Sequence, residues 1–242
     1  MGTLRESEDK AVTNTLLSSY CPPAIKEARE TQDEMLTERF RGHRLAIADV
    51  GCGDGYHGSI FGPTSVLYHG FEIVPELAAK TRERWRRDGL TQAQVFEGDA
   101  AKMQLQSASY DLVLCLYFTP GNFREKSADL SMYTDDYLDR NPGFIGIFSR
   151  FYHALKPGGA MFLTVYKDVP EAEAAQIDFY EHTGQHVVTP PGSRFVATAE
   201  NFWSARWTRD SMLSNLAAFG VVPDQVVFDD LNEIAWLVEV GK

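Results

Sequence analysis

Apolar positions in this chain follow two rhythms, short unbroken runs that read as strands buried on both faces and runs spaced three to four residues apart that read as helices packed on them. Residues 45–50, LAIADV, form the first apolar run, too short for a helix and closed by Gly51. Further strands are expected at residues 66–73, 94–97, 110–117 and 160–166, of which YDLVLCLY at 110–117 is the most uniformly apolar. Helices alternate with them. Pro22 and Pro23 suit a helix start, and Ile25, Ala28, Met35, Leu36 and Phe40 continue an intermittent stripe that stops at Gly42. A short helix over 56–61 is halted by Gly62 and Pro63, Pro75 opens a helix through Arg87 that faces the sheet with Leu77, Ala78, Thr81 and Trp85, and a third over 144–155 ends in KPGG. Thr208 is a cap for a last helix, with Asp210 in its first turn and Met212, Leu213, Leu216 and Phe219 on its apolar face. Strands at 225–228 and 235–240 are joined by an acidic turn at 229–232, too short for anything but an antiparallel pair.

Three stretches break the rhythm. Residues 1–20 are polar, with no periodic apolar face before Leu16 and Leu17, and are expected to be mobile. Residues 124–142 are polar with a few aromatics and are expected to form a mobile wall. From 167 to 207 the pattern changes and six aromatics appear, at Phe179, Tyr180, Phe195, Phe202, Trp203 and Trp207, which reads as an insertion. Within it residues 185–189 and 193–198 flank a Pro-Pro-Gly turn and resemble a hairpin. At 242 residues the chain suits one domain: a tail and cap helix over 1–44, and a domain over 45–242 with the insertion at about 167–207.

Composition narrows the choice of partners. A net charge of −11 repels phosphate backbones and anionic membrane surfaces, so neither a nucleic acid nor a membrane is expected. Three cysteines without a C-x-x-C pair suggest neither a disulfide framework nor a zinc site, and a reducing, cytoplasmic setting fits. The N-terminus lacks an apolar leader. His182 and His186 have the spacing of a helical metal pair, but Gly184 between them favours a loop and no metal is expected.

The chemistry gathers at strand ends. Gly51, Gly53 and Gly55 allow a tight turn that brings backbone close to a ligand, and Asp49 and Asp54 beside it would repel a pyrophosphate and attract an ammonium or sulfonium group. Glu72 follows by roughly 20 residues, the strand-helix step that returns an acidic side chain to the first turn, where two oxygens suit the hydroxyls of a ribose. Asp99 and the N–H of Ala100, at the third strand end, suit an adenine edge. The fourth strand ends in Phe118-Thr119-Pro120-Gly121-Asn122-Phe123, a turn where reacting groups sit in open α/β sheets.

These motifs, DVGCGDG at 49–55, FEIVPEL at 71–77, EGDA at 97–100 and LKPGG at 155–159, resemble those of the class I S-adenosylmethionine-dependent methyltransferases from about residue 45 to the C-terminus. The resemblance implies an α/β fold with a Rossmann-like, doubly wound, seven-stranded sheet whose last strand is antiparallel. It implies S-adenosylmethionine as cofactor and S-adenosylhomocysteine as product. Asp49 and Gly51 would contact the methionyl part, Glu72 the ribose, and Asp99 and Ala100 the adenine, while Cys115 and Leu116 would lie under the methionine end. Tyr20, Cys52, Gly53 and Ile73 complete the cofactor set. The turn FTPGNF departs from the pattern of nucleic-acid amino methyltransferases, and Gly58 and Pro63 interrupt the helix after the first turn. A dinucleotide fold competes through the G-x-G-x-x-G match at 53–58; with the strand ending at Val50, however, the first turn glycine is Gly51 and Tyr56 stands where the third is required.

Candidates for the acceptor side are Tyr117, Asn122, Tyr166, His182, His186 and Arg206. The aromatic cluster is either a cage for a cationic acceptor or a small core under the insertion. The expected activity is methyl transfer to nitrogen or oxygen of a small molecule, by a monomer or homodimer. The competing readings are a peptide or protein methyltransferase, and a cofactor-binding partner protein without turnover.

Overall fold

No side chain of strand β1 (Ala46–Val50) is exposed, because the sheet continues on both of its edges and helices cover both of its faces. The computed structural model describes residues 20–125, 127 and 129–242, so the tail expected over 1–19, with Leu16 and Leu17, lies outside the described residues. In chain order the elements are α1 (Pro23–Phe40), β1, α2 (Tyr56–Phe61), β2 (Leu67–Glu72), α3 (Pro75–Arg87), β3 (Ala93–Glu97), β4 (Tyr110–Cys115) and α4 (Asp135–Asp139). They continue with α5 (Pro142–Ala154), β5 (Leu155–Lys167), α6 (Pro170–His182), β6 (Phe195–Ala197), β7 (Trp203–Trp207), α7 (Arg209–Ala217), β8 (Val226–Asn232) and β9 (Ala235–Gly241).

Strands β3, β2, β1, β4 and β5 are parallel neighbours in that order, β9 pairs antiparallel with β5, and β8 pairs antiparallel with β9. That is the expected seven-stranded, doubly wound sheet. The hairpin β6–β7 adds two strands, making nine. It joins beside Tyr166 and Lys167 of β5, just past the point where β4 stops at Cys115, and so builds a wall above the carboxyl end of β4.

Two cores lie on the two faces of the sheet. One sets Phe144, Phe148 and Phe151 of α5 and Met212 and Leu216 of α7 against Val50, Val113 and Met161. The other sets Ile25 and Leu36 of α1 and Ala78 and Trp85 of α3 against Ile47, Leu114 and Phe162. Alternation along β1, β4 and β5 divides their residues between the two, as the two-residue period of a strand requires.

Local chemistry moves several boundaries. Asn141 accepts from the backbone N–H of Gly143 and Phe144, at 3.0 and 3.3 Å, with Pro142 in the first turn, so α5 starts before residue 144. Asp229 and Asp230 belong to β8, and the turn is at residues 233–234, where Asn232 accepts from the N–H of Ile234. The hairpin of the insertion also differs from expectation. Phe195–Ala197 takes Trp203–Trp207 as its main partner, and the segment before the Pro-Pro-Gly turn keeps only a bridge from Val187 to Thr198. The wall at 124–142 contains α4, capped by Thr134, so it carries regular structure. Thr208 caps α7 through a reciprocal box with Ser211.

Candidate functional site

The ends of β1, β2, β3 and β4 open into a cavity of about 780 Å³, closed on the far side by α6 and the β6–β7 turn. Pockets of a few hundred to a thousand Å³ hold drug-sized ligands. Its first rim is the turn after β1, where Gly51, Gly53 and Gly55 all have positive φ, and Gly51 donates to the Phe71 carbonyl at 2.8 Å. α3 fixes this turn from behind: the Thr81 hydroxyl donates to the Gly53 carbonyl and the Trp85 indole to the Gly55 carbonyl, at 2.7 and 2.8 Å.

Asp49, 2% exposed, accepts a 2.8 Å bond from the Tyr68 hydroxyl; burial raises its pKa, opposed by His57 and that hydroxyl. Glu72, 5% exposed, accepts from the N–H of Gly53 at 2.9 Å and of Val74 at 2.8 Å, which ties the β1 turn to the β2 end. Asp99 caps a short 3-10 turn by accepting from Ala101 N–H at 3.0 Å. Asp49, Gly51, Cys52, Gly53, Glu72, Ile73, Asp99, Ala100 and Leu116 all border the one cavity. Tyr20 does not: its hydroxyl donates to Asp178 at 2.6 Å and its ring stacks on His182. Cys115 does not either, because it points into the core with its thiol pushed well up by burial.

Just past the end of β4 the chain does something its sequence does not announce. Tyr117 and Phe118 are consecutive non-glycine residues at positive φ, 54° and 66°, a conformation that costs on the order of 1–3 kcal/mol per residue. The kink sets Phe118 face to face on Tyr166 at 3.8 Å and sends the Tyr117 hydroxyl to Asp33 of α1 at 2.5 Å. His57 lies 3.1 Å from the other oxygen of Asp33, and Arg29 lies over the Tyr117 ring at 4.6 Å. Burial raises the Asp33 pKa, but the bonds from His57, Tyr117 and Gln32 outweigh it and the net shift is downward. Tyr117 is driven upward by burial and by Asp33, so it stays a donor.

Of the acceptor-side candidates, Tyr117, Asn122 and Tyr166 border the cavity, and the structure does not bring the other three to it. His182 is exposed and paired with Asp178 at 3.0 Å, and His186 is exposed and paired with Glu200 at 2.6 Å. Arg206 is buried and braces the insertion through Asp168, Glu173 and Gln176. The aromatic cluster divides: Phe179, Tyr180, Phe202 and Trp203 border the cavity, whereas Phe195 and Trp207 belong to the core. Arg29, His57 and Arg124 border it too and were not anticipated. His57 had one signal, a polar ring inside the Gly-rich segment, and Arg29 had none, being one charge among several on a helix.

Residues 47–159 match the family model described as a methyltransferase domain. A protein-L-isoaspartate O-methyltransferase from Ignicoccus hospitalis is 35% identical over 72 residues, which cover 28% of this chain and 34% of that protein. The chain thus spans about a third of the length of that relative. Among solved structures, DhpI in complex with SAH superposes with a TM-score of 0.61 at 14% identity, covering 98% of this chain and 95% of that one. The Burkholderia thailandensis 1,6-didemethyltoxoflavin-N1-methyltransferase does so with 0.60 at 13% identity, covering 100% and 88%. At such identities the structural likeness speaks for the fold. The domain match covers a little under half of the chain, and the strand order together with these superpositions shows a fold shared with S-adenosylmethionine-dependent methyltransferases.

Proposed function

We propose that the chain transfers a methyl group from S-adenosylmethionine to a nitrogen or oxygen of a small molecule and releases S-adenosylhomocysteine. The observation that carries this is the meeting of Asp49, Glu72 and Asp99, from three successive strand ends, on one cavity with the Gly-rich turn. Its acidic rim suits a sulfonium and an ammonium and opposes a diphosphate. In this reading Asp49 and the Gly51 turn hold the methionyl part, Glu72 the ribose, Asp99 and Ala100 the adenine, and Leu116 packs beneath the methionine end.

Transfer from sulfur is an in-line displacement: the acceptor lone pair forms the new bond to carbon while the carbon–sulfur pair returns to sulfur, which becomes neutral. Holding the three atoms collinear at contact distance supplies most of the acceleration. Tyr117, Asn122 and Tyr166 border the acceptor side. The Tyr117 hydroxyl has its one proton committed to Asp33 and stays un-ionised, so toward the substrate it can only accept, and an amine acceptor gives up its proton to water.

The isoaspartate methyltransferase match favours a second reading, a peptide or protein acceptor. Against it stand the walls of Phe179, Tyr180, Phe202 and Trp203, which suit a molecule small enough to be enclosed. The test is incubation with methyl-labelled S-adenosylmethionine and a cell extract split by ultrafiltration. A labelled filtrate species separable by chromatography from S-adenosylmethionine and its breakdown products, and absent without the enzyme, is expected; new label confined to the protein fraction moves the assignment to the second reading, and no enzyme-dependent labelled product in either contradicts both.

A further inference from the structure

Two guanidinium groups border the same cavity as the strand-end carboxylates. Arg124 borders it, with its guanidinium 5.3 Å from the Trp203 ring centre and 5.4 Å from that of Tyr133. Its Nε is covered and has no hydrogen-bond partner among the described residues. The fork beyond makes one long contact, 3.4 Å to the Asn201 carbonyl. Arg29 borders the same cavity over the Tyr117 ring, again with a covered, unpartnered Nε. Neither guanidinium has a carboxylate within ion-pair distance among the described residues, in a chain that has 34 carboxylates for 23 lysines and arginines. Tyr166 and Tyr180 border the same cavity.

This arrangement bears on what the aromatic walls can hold. An aromatic cage for a cation needs free ring faces, and here the faces of Trp203, Tyr133 and Tyr117 already carry the protein's own guanidinium groups. A cationic acceptor would meet two like charges in a partly dry cleft, where repulsion is strong. An anion meets the reverse, a planar fork held flat by two rings and still short of an acceptor.

We propose that the methyl acceptor is an acid, an apolar body bearing a carboxylate or phosphate, whose anionic group is received by the Arg124 fork with Arg29 as the second positive charge of the wall. This rests on the donor reading of the same cavity. The apolar body lies against Phe118, Tyr166, Phe179 and Phe202, and the atom to be methylated is held toward the donor by the fixed anion at its other end.

The experiment is calorimetry on the full chain saturated with S-adenosylhomocysteine, using 3-phenylpropionate, phenyl phosphate, 3-phenylpropionamide and 3-phenylpropylamine. At least one acid is expected to bind about tenfold or more tightly than the amide and the amine, and the tighter acid assigns the anion. Arg124→Gln should abolish that preference, and Arg124→Lys should keep part of it. Equal or tighter binding of the amide or amine, no binding of either acid in the millimolar range, or an unchanged preference in Arg124→Gln would overturn the proposal. S-adenosylhomocysteine titrated into each variant reports whether it is folded. If wild type itself fails to bind S-adenosylhomocysteine, the donor reading fails, and titrating the four probes into the free protein still decides the anion site by the same outcomes.

Discussion

Asp49 is held where its charge is least welcome, buried beside one tyrosine hydroxyl, and its pKa is raised as a result. A sulfonium or ammonium ligand favours the ionised form and lowers that pKa on binding, so protons and cofactor compete for the site. The affinity for S-adenosylmethionine should therefore weaken as pH falls, beginning above the ordinary carboxylate range near ~4. Titrations between neutral and mildly acidic pH check this. Asp49→Asn, which keeps an acceptor for Tyr68 but has no charge, should bind more weakly at neutral pH and with little pH dependence. An affinity in wild type that stays flat across the range would count against a cation at Asp49. Residue identity made Asp49, Glu72 and Asp99 legible because each ends an apolar run, and strand ends share an edge. The same reasoning had no hold on Tyr117 and Phe118, since aromatic residues at positive φ carry no turn signature. It also misplaced His182, His186 and Arg206, because spacing along the chain does not tell an exposed or bracing side chain from one that reaches a cavity.

At the scale of elements, α2 and α1 decide whether the rim is fixed. Gly58 in α2, which resembles a helix interruption, is a packing requirement: a Cβ there would lie 2.4 Å from the Trp85 ring. Gly58→Ala should lower stability by about 1–3 kcal/mol, a melting-temperature fall of roughly 2–12 °C for a chain of this size. Thermal denaturation reads this, and an unchanged midpoint would mean that α2 does not rest on Trp85 as described. α1 is fastened to the cavity floor by Asp33, which takes bonds from Tyr117 and Gln32 and pairs with His57. Asp33→Ala should cost roughly 2–4 kcal/mol, since it strips buried groups of their partner. Its folded-state pKa is depressed, so the unfolded chain takes up this proton first as pH falls. The clamp's contribution is complete above about pH 5 and is lost as pH drops through the folded-state value. Urea midpoints at neutral and acidic pH should show a gap between wild type and Asp33→Ala that narrows in acid; a gap that widens would contradict the clamp. The insertion was the least legible element. The Pro-Pro-Gly turn drew attention to residues 185–198, whereas β6 is three residues long and pairs across a turn where Asn201 adopts positive φ.

Across the whole molecule, the buried strands and the antiparallel last pair were legible from run length and connection length, because a buried parallel sheet needs unbroken apolar strands, whereas the doubly wound arrangement came from the family resemblance. The charge inside the cavity was not legible. Net composition reports −11 and says nothing of Arg29 and Arg124 bordering the same cavity as Asp49, Glu72 and Asp99. The account as a whole depends on the acidic rim being the seat of an adenosyl donor, with Glu72 at its centre. Calorimetry with S-adenosylmethionine on wild type and Glu72→Ala tests this most directly. Saturable binding to wild type is expected, weakened roughly 10- to 100-fold in the variant, as for removal of hydrogen bonds to a buried carboxylate. Absence of binding, an affinity unchanged by Glu72→Ala, or preferential binding of a pyrophosphate-bearing dinucleotide would contradict it.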